Sequence, residues 1–104
     1  MDDHEINKRL ADVIDLRVTE HVRGDRLVWL VGGKQEWNPV EKIEQLWPLY
    51  RKYLVGMSKR ISGWDALYIY RERVFMEFDA DPNRAIALAI IAANAPSREG
   101  RESE

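Results

Sequence analysis

The stretch from Ala85 to Ala93 reads Ala-Ile-Ala-Leu-Ala-Ile-Ile-Ala-Ala, with no polar side chain in it. Asp81-Pro82 stands just ahead, a helix-start signal in which Asp accepts from free amides and Pro suits the first helical position. A helix that is apolar nearly all round has no face for water, so it must lie in the core with the rest of the chain built around it. Pro96 is expected to end it, and the charged, apolar-free segment Ser97–Glu104 reads as a disordered tail.

The chain has 104 residues, 45% apolar and 33% charged, which suits one domain over residues 1–96. Cysteine is absent, so the core needs no disulfide and a reducing, cytoplasmic setting is expected, the host cytoplasm if the chain is phage-encoded. The acidic start Met1-Asp2-Asp3-His4-Glu5 is unlike a signal peptide, and no apolar run has the length of a membrane span. Eighteen acids against sixteen bases leave a net charge of −2, which favours neither a non-specific duplex binder nor a DNA mimic.

Ile6, Leu10, Val13 and Ile14 recur at helical spacing and predict a first helix from Glu5 to about Val18. Beyond Arg23-Gly24-Asp25, the run Leu27–Val31 predicts a buried strand. Gly32-Gly33 supplies the positive φ angles for a hairpin that brings Lys34–Trp37 back on it. Asn38-Pro39 with Glu41 predicts a capped second helix from Pro39 to about Leu54, kinked or broken near Trp47 by Pro48. Gly56 to Gly63 reads as a loop. Ala66–Tyr70 and Val74–Asp79 read as a strand hairpin turning at Arg71-Glu72-Arg73, each strand with one better-buried face. The expected fold is therefore α+β, an antiparallel sheet of three to four strands packed with helices in the order α-β(β)-α-β-β-α.

The opening Glu5-Ile6-Asn7-Lys8-Arg9-Leu10-Ala11, the Trp37-Asn38-Pro39 and Ile43-Glu44-Gln45-Leu46-Trp47 of the second helix, the hairpin, and the Asp81 start of an Ala-rich last helix follow in a distinctive order. In that order and spacing the chain resembles the phage ABA sandwich domain proteins of bacteriophages and prophages, over nearly its whole length. The resemblance implies an α/β sandwich and a phage or prophage origin, and brings no catalytic residue with it. The chain departs from the family pattern in Pro48 and in its compact Gly32-Gly33 segment.

No catalytic constellation is visible. His4 and His21 lack the spacing and company of a zinc site, and Ser58, Ser62 and Thr19 have no base in a nucleophile motif. Gly32-Gly33-Lys34 opens no helix, so it reads as a turn rather than a phosphate loop. Asp79 and Asp81 resemble a carboxylate pair, yet a strand end and a helix cap account for both. No cofactor is implied.

The candidate binding residues are Arg51, Lys52, Lys59, Arg60 and Trp64, a basic segment with Arg71, Arg73, Tyr68 and Tyr70 near in sequence. Cations beside stacking rings suit single-stranded nucleic acid, although cations late in a helix and aromatics in strands also serve the fold itself. Trp29 and Trp47 read as buried, and Trp64 and Tyr53 as the exposed aromatics that anchor interfaces. The leading expectation is a phage-type accessory protein that is not an enzyme. It would bind a host or phage protein and inhibit a host enzyme or defence system, as anti-CRISPR proteins do. The alternatives are a single-strand nucleic-acid module and a homo-oligomeric structural protein.

Overall fold

The computed structural model describes residues 1–94, so the tail expected from Ser97 and the closing role of Pro96 lie outside the described residues. Three helices and six strands follow in the order α1 (Asp3–Val13), β1 (Thr19–Arg23), β2 (Arg26–Val31), β3 (Gln35–Trp37), α2 (Ile43–Tyr53), β4 (Leu54–Lys59), β5 (Trp64–Tyr70), β6 (Arg73–Asp79) and α3 (Pro82–Ala93). The class is α+β with antiparallel pairing throughout. The strands divide into two three-stranded sheets, β1-β2-β3 and β4-β5-β6.

Helix α3 is the centre. The Asp81 carboxylate accepts from the Arg84 amide at 3.0 Å, the predicted cap. Ala85 and Ala89 pack with Ala66 and Tyr68 of β5, and small side chains let this face approach the second sheet closely. The opposite face presents Ile86, Ile90 and Ile91 to Ile6 and Leu10 of α1 and to Leu46 and Leu49 of α2. Fully burying a Leu or Ile contributes about 1.5–3 kcal/mol, so these contacts dominate the packing.

Helix α1 ends at Val13, short of the expected Val18. The Leu16 amide donates back to the Ala11 carbonyl at 2.8 Å and the Asp15 amide to Asp12 at 3.1 Å, with Asp15 at φ 60°. That is the paired bonding of a Schellman stop, with Asp in the left-handed position that Gly commonly fills. Ending the helix there frees Thr19–Arg23 to pair with β2 as a strand the periodicity does not predict.

Gly32 and Gly33 take φ 62° and 72°, and β3 folds back on β2 as expected, setting Trp29 opposite Trp37; Val31 pairs with Gln35, so Lys34 belongs to the turn and not to the strand. Both indoles donate to α1 carbonyls at 2.8 Å, Trp29 to His4 and Trp37 to Asn7, which docks the first sheet onto the helix.

Helix α2 starts at Ile43 rather than Pro39. The Asn38 side chain bonds to Asn7 of α1 instead of capping, and it is Gln45 Oε1, in place of the Glu41 carboxylate of a capping box, that accepts from the Asn38 amide. Residues 38–42 form a turn, and the helix runs unbroken through Pro48. It passes into β4 at Leu54 without a connecting loop, so the segment from Gly56 to Lys59 is strand rather than loop, with a bulge between Leu54 and Gly56. The β5–β6 hairpin turns on Arg71-Glu72 alone, since Arg73 already pairs with Tyr70.

Candidate functional site

The predicted basic segment is divided by β4. Arg51 and Lys52 close α2 at one end of the strand, and Lys59 and Arg60 stand at the other. A strand rises roughly 3.3 Å per residue, so the two pairs are about 20 Å apart. The structure brings together Lys59, Arg60 and Trp64. Lys59 faces Trp64 across the ladder, its Nζ 4.8 Å from the ring centroid, while Lys52 lies over Tyr53 at 5.2 Å. Arg60 is engaged within the chain, its Nε donating to Asp65 and its guanidinium 5.1 Å from the Phe78 ring.

The second sheet has one covered and one uncovered face. Trp64, Ala66, Tyr68 and Tyr70 of β5, with Phe75 of β6, pack on the α3 side. Strand alternation sends Leu67 and Ile69 of β5 and Val74, Met76 and Phe78 of β6 to the other side. The register aligns Ile69 with Val74 and Leu67 with Met76, so these side chains are neighbours across the ladder. Ile69 is 51% exposed, Val74 62%, Met76 57% and Phe78 42%. Val55, at the bulge of β4, is exposed as well.

Arg60, exposed, stands at one end of this apolar face over the Phe78 ring, whereas the exposed Arg71 and Arg73 beside the hairpin turn lie over Tyr70 and Phe75, rings of the α3 side. Asp65 is buried on the apolar face of β5, opposite Phe78. Its Oδ2 accepts from Arg60, and its Oδ1 is buried without a hydrogen-bond partner. An unsatisfied buried acceptor costs about 1–3 kcal/mol, so this oxygen is held at the expense of stability.

This face could have been found in the sequence. Val74, Phe75, Met76 and Phe78 make β6 apolar on both faces, although one central helix covers only one of them. Trp47, expected in the core, is 50% exposed and stacks on Tyr50 at 5.0 Å, whereas Trp37 is the buried indole. Trp64 and Tyr53, expected outside, are both half-buried.

A second concavity of about 300 Å³ lies between α1, the first sheet and the 38–41 turn, lined by His4, Asn7, Trp29, Glu36 and Glu41 among others. Its polar groups are engaged with one another. Asn38 Nδ2 donates to Glu41 at 2.9 Å and to Glu36 at 3.4 Å. His4 stacks on Trp29 at 4.6 Å and donates to Glu20 at 2.7 Å, and His21 shares a hydrogen bond with Thr19. Asp79, read from the sequence as a strand end, accepts from the Asp81 amide and from Arg84, so it joins Asp81 in holding the start of α3. This arrangement holds elements together. The apolar face of the second sheet is the better candidate.

Comparison with family models, curated proteins and solved structures gave no match. Among the described residues, no helix is long and apolar enough to cross a membrane.

Proposed function

We propose that this protein acts by binding another protein through the uncovered face of the second sheet. The observation that carries the reading is the row of Leu67, Ile69, Val74, Met76 and Phe78, contiguous across two strands and left without a helix. Apolar patches rimmed by polar groups are where soluble proteins meet partners. The exposed Arg60 guanidinium at one end of the row suits a partner surface with an apolar centre and a carboxylate beside it.

The biological setting rests on the family resemblance. We take the protein as a small phage-type accessory factor whose partner is a host protein and whose effect is inhibition of a host enzyme or defence complex, without catalysis of its own.

The test is affinity capture from nuclease-treated host lysate with the wild type and with Ile69→Glu, which charges the centre of the face on the middle strand. A stoichiometric protein captured by the wild type and lost with Ile69→Glu, while thermal stability is retained, is the expected result. Capture that is indifferent to Ile69→Glu overturns the choice of face. A second reading, single-stranded nucleic acid, is favoured by the Lys59–Trp64 pair alone. Binding of a labelled oligonucleotide that collapses between low and moderate salt, and is lost in Trp64→Ala, would support it.

A further inference from the structure

The two sheets have four edges, and three of them carry features that discourage pairing with another chain. Strand β3 is only three residues long. Strand β1 is exposed along its whole length, with Val22 its single apolar side chain. Strand β4 is bulged at Leu54/Gly56, contains a glycine and ends on Lys59. Strand β6 differs from all three. It runs seven residues, Arg-Val-Phe-Met-Glu-Phe-Asp, with no Pro, Gly, Lys or bulge, and its register with β5 is one-to-one from Arg73 to Asp79. Among the described residues no strand pairs with its outer edge.

The direction of its backbone groups follows from the turn. Arg71 and Glu72 have φ 52° and 66°, which makes a two-residue hairpin connection closed by the Tyr70–Arg73 pair. In such a hairpin the closing pair exchanges both backbone hydrogen bonds, and bonded pairs then alternate along the ladder. Arg73, Phe75, Glu77 and Asp79 therefore bond to β5. Val74, Met76 and Phe78 aim their N–H and C=O groups at the free edge.

We propose that this edge is occupied by β6 of a second copy of the chain, paired antiparallel about a two-fold axis through Met76, to give a continuous six-stranded sheet. The sequence of β6 is complementary to its own reverse. About Met76, Val74 meets Phe78 of the second copy and Met76 meets Met76, so every group aimed at the edge finds a matching one. On the other face Arg73 meets Asp79 of the second copy, a charge-matched pair. Phe75 meets Glu77 of the second copy, close to the Arg73 guanidinium that lies 5.5 Å from the Phe75 ring. Sliding the pair two residues away from the turn would set Glu77 against Glu77. Sliding it two residues toward the turn keeps opposite charges together but shortens the overlap, so the centred register is favoured.

Pairing of this kind is isologous and closes at two chains, because both chains use the same β6 edge. It joins the two uncovered faces into one surface twice as long. It goes beyond the binding reading above and stands without it: Val74, Met76 and Phe78 serve the face through their side chains and the edge through their backbone, while Leu67 and Ile69 on the middle strand take no part in the edge.

The chain has no cysteine, so single-cysteine variants report the register directly. Residues opposed in a bonded antiparallel pair have Cα atoms roughly 5.5 Å apart, within disulfide range. Under mild oxidation Met76→Cys is expected to form a covalent dimer, and Phe75→Cys and Val74→Cys to remain largely uncrosslinked. By light scattering over a concentration series, the wild type is expected at twice the 12.2 kDa chain mass. Met76→Lys, which opposes two cations on the axis, is expected at the single-chain mass with its circular dichroism unchanged, and Ile69→Glu at the dimer mass. A wild type that stays at the single-chain mass up to its solubility limit overturns the proposal. Cross-linking at Phe75→Cys in place of Met76→Cys overturns the centred register.

Discussion

Asn7 and Asn38, thirty-one residues apart in the chain, meet in the core, where the Asn7 side-chain Nδ2 donates to Asn38 Oδ1 at 2.9 Å. The Asn7 oxygen accepts from the Val40 amide at 3.2 Å, and the Asn7 main-chain carbonyl accepts from the Trp37 indole. One side chain of α1 thus satisfies the turn that leads from the first sheet into α2. Both Asn side chains belong to buried residues, so water does not substitute for either bond.

Truncation of Asn7 is therefore costly. Asn7→Ala leaves the Val40 amide and the Asn38 oxygen without their partner, and each such loss costs about 1–3 kcal/mol. A drop in unfolding free energy of about 2–4 kcal/mol in urea titration is expected. A change below about 1 kcal/mol would mean that the turn is held chiefly by the Asn38–Glu41 and Gln45 bonds.

Asp15 terminates α1 in the left-handed region, where a side chain is disfavoured and Gly is not. No hydrogen bond of its carboxylate contributes to the stop, which is made by backbone groups of Asp15 and Leu16. Asp15→Gly is expected to stabilise the protein by about 0.5–1 kcal/mol, a rise of a few degrees in Tm. An unchanged or lower Tm would show that the flexibility Gly adds to the unfolded chain outweighs the relief of strain.

The hairpin turn makes a related case. Arg71 and Glu72 both sit at positive φ, in a turn for which Asn-Gly is the favoured pair. Replacing them with Asn-Gly should raise stability by about 1–2 kcal/mol, since two disfavoured conformers are relieved at once. The same change removes an exposed arginine from the hairpin end of the second sheet. If that arginine takes part in recognition, partner affinity falls while Tm rises, a combination that separates function from folding.

These residues also show which parts of the fold were legible in the sequence. The Asp81-Pro82 start and the all-apolar run after it defined α3 and its place in the core because cap and periodicity agree there. The ends of α1 and α2 were not legible, and for different reasons. At Asp15 the stop signal uses Asp in place of Gly. At Asn38 a local capping signal is overridden by a bond to a residue far away in the chain. Strand β1 is exposed throughout, so it has no alternation to read, and the Gly56 that suggests a loop marks a bulge within a strand. The basic segment looked like one patch because its members are near in sequence. An extended strand separates them, while the apolar face is foreshadowed by β6, whose apolar side chains fall on both sides of the strand.

Gly63 links the fold to that face. A Cβ at this position would lie 2.5 Å from the Asp79 carbonyl oxygen, 2.7 Å from Phe78 Cζ and 2.8 Å from Ala80 Cα. Two of these atoms are backbone, so a side-chain rotation cannot relieve the clash, and Gly63→Ala must move the end of β6. Overpacking of this sort costs about 1–3 kcal/mol. The displaced Phe78 ring is the one that Arg60 lies over, so the same methyl group should also disturb one end of the apolar surface. A lower Tm accompanied by weaker partner capture is the expected outcome. A lower Tm with capture unchanged would place the recognition surface nearer the hairpin turn, around Ile69 and Val74, and away from Phe78.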